Sequence, residues 1–80
     1  MDIFFAKSRR GISHYLSAKS GFSNARLWIN GGVDLTGFDL SADTVSVFNI
    51  EFDLSDEKQF QAAVGTIKEH YDECIVWVEA

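Results

Sequence analysis

The chain has 80 residues, of which 46% are hydrophobic and 14% aromatic, and a net charge of −5. It is too apolar to be disordered and long enough for only one domain, residues 1–80. One cysteine, Cys74, excludes an internal disulfide and makes no zinc cluster, and no apolar run reaches the length of a membrane span.

The apolar run Ile3–Ala6, between Asp2 and Lys7, reads as a short strand and as neither a signal peptide nor an anchor. The first residue is Met and the end carries no tag-like tail, as expected of a whole small gene product. Ser8 is placed to cap a helix on which Ile12, Tyr15, Leu16 and Lys19 recur at helical spacing, with Gly21 as its stop. Gly11 and four serines between residues 8 and 20 weaken that helix. Leu27-Trp28-Ile29 forms the next apolar centre. Asn30-Gly31-Gly32 follows it and, before Val33-Asp34-Leu35, predicts a tight hairpin.

Thr44–Leu54 gives the clearest strand pattern. Phe48, Ile50, Phe52 and Leu54 share one face; Asn49, Glu51 and Asp53 share the other. Val45 and Val47 fall on the polar parity, so a bulge or a change of neighbours is expected near residue 47. Ser55 caps the best helix, with Asp56 and Glu57 in its first turn. Its apolar stripe is Phe60, Ala63, Val64, Ile67 and Tyr71, and Lys68 and His70 sit near its end. The uninterrupted run Cys74–Val78 predicts a central strand buried on both faces.

Strand, helix, hairpin, strand, helix, strand predicts an α+β fold. The simplest arrangement is a mainly antiparallel sheet with two helices on one face, in the ferredoxin-like split β-α-β order with an extra hairpin strand. Phe38–Asp43 echoes Phe52–Glu57, and both read as a strand end followed by a Ser that starts a turn.

Charge is divided by position. Residues 1–30 carry +4, from Lys7, Arg9, Arg10, Lys19 and Arg26 against Asp2; residues 31–80 carry −9, with only Lys58 and Lys68 as cations. Glu51, Asp53, Asp56, Glu57, Glu69, Asp72 and Glu73 form the candidate partner-binding face. On a strand, Glu51 and Asp53 point the same way, roughly 6.6 Å apart. Such uncompensated acids can imitate nucleic-acid phosphates in a partner's basic groove; the alternative is a solvated face with helix-capping carboxylates. Lys7, Arg9, Arg10, Lys19 and Arg26 are the alternative, basic side, able to touch phosphates or an acidic protein patch; otherwise they are a solvated loop and helix turn.

Trp28 is the candidate aromatic anchor. Trp77, inside the Ile-Val-Trp-Val run, reads as core, and Tyr15 and Phe22 are further aromatic candidates. His70, Asp72, Glu73 and Cys74 lack a second cluster to complete a metal site, so no metal or cofactor is expected. Ser13-His14 is no triad, and no G-x-S-x-G, P-loop or dinucleotide fingerprint occurs. No enzyme activity and no concave polar pocket are expected.

With no diagnostic motif, the whole-chain profile is similar to that of small phage-encoded inhibitors, anti-CRISPR proteins in particular: a short acidic α+β chain, dense in aromatics. That resemblance implies a non-catalytic, stoichiometric inhibitor, acting in the cytoplasm of a host bacterium as a monomer. Its partner would be a Cas surveillance complex, blocked from target DNA by coverage of lysine-rich surfaces. The +4 N-terminal part departs from a pure DNA mimic. Two rivals are a small nucleic-acid-binding regulator using the five basic residues and an immunity protein or antitoxin using the acids.

Overall fold

A computed structural model describes residues 1–80. The elements are β1 (Asp2–Ala6), α1 (Arg9–Ala18) with a 3-10 turn at Lys19–Gly21, β2 (Ala25–Ile29), β3 (Val45–Val47), α2 (Glu57–Glu69) and β4 (Ile75–Val78). The strands form one sheet in the order β3-β2-β1-β4, and every neighbouring pair is parallel. Helices and strands are present as expected, but the antiparallel ferredoxin-like sheet and its hairpin are overturned. The helices also lie on opposite faces. α2 places Ala63 and Ile67 on Ile3, Phe5 and Trp28, while α1 places Ile12 and Tyr15 on Ala6, Leu27 and Ile29.

Parallel neighbours need long crossovers, and residues 7–24, 30–44 and 48–74 supply them. The apolar run of β1 becomes the central strand, packed on both faces as parallel sheets require. Asn30-Gly31-Gly32 reverses nothing; it docks a distant segment. The Asn30 Nδ2 donates to the Phe52 carbonyl at 3.0 Å, and its Oδ1 accepts the Phe52 N–H at 3.1 Å. A Cβ on Gly31 would overlap the Ile50 carbonyl, and Gly32 adopts a φ of 85° that favours glycine.

Only Val45–Val47 of the expected strand pairs with β2. Near residue 47 the strand neither bulges nor changes neighbours; it ends. Val45 packs on the α1 side, whereas Phe48, Phe52 and Leu54 pack on the α2 side. Ile50, expected inward, is exposed because its backbone turns to meet Gly31. Ser8 takes the N-cap position of α1 as predicted, although its hydroxyl bonds elsewhere, whereas Ser55 caps no helix. α2 starts behind Asp56, and the hydroxyls of Ser8 and Ser55 donate to Glu79 and Asp53.

β4 lies at the sheet edge and not at its centre. Val76 and Val78 pack toward α2, but Ile75 and Trp77 face the other way and are 58% and 47% exposed. α1 packs across β1 and β2 and leaves that face of β4 open.

Candidate functional site

All strands point one way, so each connecting helix begins at the carboxyl end of the sheet and runs back. This divides the expected acidic face. Glu51, Asp53, Asp56 and Glu57 gather at the carboxyl end, where Glu51 and Asp53 line a cleft with Asp34. Glu69 ends α2 and Asp72 and Glu73 follow it, at the far end of a helix that spans roughly 18 Å at 1.5 Å per residue. Glu51 and Asp53 remain exposed on the outer side of their segment, though no strand holds them there.

One local device recurs at the exposed acids. Asp34-Leu35-Thr36, Asp39-Leu40-Ser41 and Asp53-Leu54-Ser55 are three copies of Asp-Leu-Ser/Thr. In each, one aspartate oxygen accepts the backbone N–H two residues on, at 3.0, 3.1 and 3.1 Å, and that residue's hydroxyl, at 2.7, 2.7 and 2.6 Å. The intervening leucines pack into the core. Hydroxyl and then backbone hydrogen bonds hold all three carboxyls below the usual range. Each is thus a fixed, permanently ionised charge at neutral pH. The echo between residues 38–43 and 52–57 is the visible part of this pattern; the Asp34 copy carries Thr in place of Ser.

No concave polar pocket was expected, yet the structure has an open cleft of about 770 Å³ at the carboxyl ends of β1 and β2. Lys7, Arg9, Asp34, Glu51 and Asp53 line it together with Asn30-Gly31-Gly32, and the Arg9 guanidinium lies 3.9 Å from the Asp34 carboxylate. Its mixed charges suit polar contact, but its hydroxyl-bearing residue, Ser8, donates to Glu79 at 2.6 Å. In doubly wound folds, ligands enter outside the strand ends where strand order reverses. That point here lies between β1 and β4, and the Glu79 carboxylate fills it. Glu79 Oε1 accepts the N–H groups of Lys7 at 2.8 Å and Ser8 at 3.0 Å. A Cβ on Gly11 would overlap that carboxylate. No three His, Cys, Asp or Glu side chains converge on a metal-holding group, and His70 Nδ1 lies 2.9 Å from the Thr66 carbonyl.

The five basic residues are dispersed and mostly committed. Arg9 donates to the carbonyls of Asp34 and Thr36, both at 2.8 Å, and its guanidinium lies 4.6 Å over the Phe38 ring. Lys19 pairs with Asp43 at 2.9 Å, where the Tyr15 hydroxyl also donates at 2.8 Å. Arg26 lies over the Tyr71 ring at 5.6 Å. Lys7 lines the cleft and Arg10 is exposed. The charge division along the chain therefore does not make two oppositely charged sides. N-terminal cations reach across to acids of the second half.

The aromatic assignments exchange places. Trp28 is 6% exposed, packed on Phe48 and donating to the Tyr71 hydroxyl at 3.1 Å, so it is core and no anchor. Tyr15 is buried too. Trp77 is the open one, its indole N–H donating to Asp2 at 2.9 Å and its ring edge-on to the half-buried Phe22. A short apolar run does not reveal whether a helix covers it, and no helix covers Trp77. No family model, no curated protein and no solved structure matches the chain.

Proposed function

We propose that this protein is a non-catalytic, stoichiometric inhibitor that binds another protein, and that its partner is a CRISPR surveillance complex kept from its target DNA. The carrying observation is the acidic array at the carboxyl end of the sheet. Asp34 and Asp53 are pinned there by hydroxyl and backbone hydrogen bonds, with Glu51, Asp56 and Glu57 exposed beside them. Charges already fixed in place lose little freedom on binding. A basic surface made for a phosphate backbone would meet them as it meets DNA, with association steered by charge and weakened by salt.

The nucleic-acid-binding rival needs its five cations on one face. Their dispersal, and the internal partners of Arg9, Lys19 and Arg26, favour the protein-binding reading over it. An immunity protein or antitoxin would use the same acids, and only the partner's identity separates the two.

The test is an affinity pull-down of the tagged protein from CRISPR-bearing bacterial lysate at low and high salt, read by mass spectrometry. Surveillance subunits should be captured at low salt, depleted at high salt, and lost when Glu51, Asp53, Asp56 and Glu57 are all changed to Lys in a variant that still folds. Capture of nucleic acid alone or of a lone toxin, or undiminished capture by the variant, would overturn the proposal.

A further inference from the structure

The strongest unassigned feature is the free edge of β4. In a parallel ladder, alternate residues turn both backbone groups to the same neighbour. Ile75 and Glu79 donate to β1, at Met1 and Phe5, by bonds of 3.0 and 3.1 Å. Val76 and Val78 therefore turn their N–H and C=O groups outward. Proteins blunt such edges with Lys, Pro, bulges or inward-pointing charge. Ile75-Val76-Trp77-Val78 has none of these, and it carries two exposed apolar side chains on its open face. The opposite edge, β3, is only three residues long and is blunted by its brevity.

Charge selects the occupant. Besides the internally bonded Glu79, residues 69–80 contain Glu69, Asp72 and Glu73 and no Lys or Arg, and the adjoining β1 adds Asp2. A second copy would bring the same acids to the same edge, in a chain already at −5. An extended segment that alternates apolar and basic residues would pair with the backbone groups, cover Ile75 and Trp77, and meet the acids with opposite charge. Resting on the protein-binding function above, but not on the partner's identity, we infer that β4 accepts a cationic extended segment of the partner as a fifth strand.

The probe is a synthetic peptide of alternating valine and lysine, with a valine–glutamate peptide as its counterpart. Both are titrated into the full chain and followed by amide hydrogen exchange. The basic peptide should slow exchange at Val76 and Val78 about tenfold or more, shift the Trp77 emission, and lose affinity with salt. Ile75→Lys replaces an exposed side chain, so it should keep the fold and abolish binding. Val76→Pro removes an outward donor and should also abolish binding. Unchanged exchange at Val76 and Val78 under excess basic peptide, equal binding of the acidic peptide, or protection at β3 instead would overturn the inference. So would concentration-dependent protection of β4 without any peptide, which would make the occupant a second copy. A protein that captures its partner through the acidic array but ignores the peptide would lose only the fifth strand. One that takes the peptide but captures no surveillance complex would lose only the proposed partner.

Discussion

Glu79→Ala should destabilise the fold by about 2–3 kcal/mol. Glu79 closes the molecule, because its carboxylate joins the exit of β4 to the turn entering α1, 71 residues earlier in the chain. It takes two backbone N–H groups on one oxygen and the Ser8 hydroxyl on the other. A hydrogen bond to a charged group contributes about 1.5–3 kcal/mol. Three on one carboxylate are not additive, and water replaces part of them at a half-buried site, hence the total of ~2–3 kcal/mol. A chain of this length has a stability of roughly 4–12 kcal/mol, so the loss is a large share and lowers Tm by roughly 10–20 °C. Burial pushes the Glu79 carboxyl up, but the Ser8 hydroxyl and the N–H groups of Lys7 and Ser8 outweigh it and hold the group below its usual range. The folded pKa thus lies below the unfolded value of about 4.3, so the contribution is present above that pH and is lost as pH falls through the folded pKa. Urea unfolding followed by circular dichroism should show the full gap between the two proteins at neutral pH and a narrowing gap below about pH 4. A gap under about 0.5 kcal/mol, or one equally wide in acid, would refute the closure assigned to Glu79.

Asp43 sits with a side chain only 5% exposed between Lys19 and Tyr15, so Asp43→Ala should cost about 2–3 kcal/mol in the same unfolding assay. Burial, reinforced by Asp43, pushes the Tyr15 hydroxyl up to about 12. Its contribution is present below pH ~10 and lost as pH rises toward that folded value, so an alkaline stability series should fall between them and flatten in Tyr15→Phe. Arg9→Ala should destabilise by about 1–2 kcal/mol through the lost loop contacts, while Arg10→Ala stays within about 0.5 kcal/mol, as thermal melts will read. Trp28→Ala should cost about 3–5 kcal/mol and Trp77→Ser under about 1 kcal/mol, reversing their rank as read from sequence.

Local structure was legible because it is written in short-range patterns. The stripe from Phe60 to Tyr71 gave α2, and the runs at residues 3–6 and 27–29 gave β1 and β2. Strand direction was not legible. Asn30-Gly31-Gly32 carries the signal of a hairpin, but here its glycines make room for Ile50 and Glu51, contacts no local pattern announces. The edge position of β4 was hidden for a related reason: an apolar run looks the same whether or not a helix covers it. At the acidic end, the residues 51–57 were legible as a group, whereas their separation from Glu69, Asp72 and Glu73 follows from the parallel topology. Arg9 and Lys19 looked like free cations because their partners lie 25 and 24 residues away.

The most direct test of the proposed inhibitory function is a titration of the purified protein into a purified surveillance complex, with binding to labelled target DNA as the readout. DNA binding should fall linearly to zero at an equimolar point, recover with rising salt, and be spared by the reversal of Glu51, Asp53, Asp56 and Glu57. Full DNA binding at large molar excess, or complete loss at a small fraction of an equivalent, would contradict stoichiometric, non-catalytic inhibition.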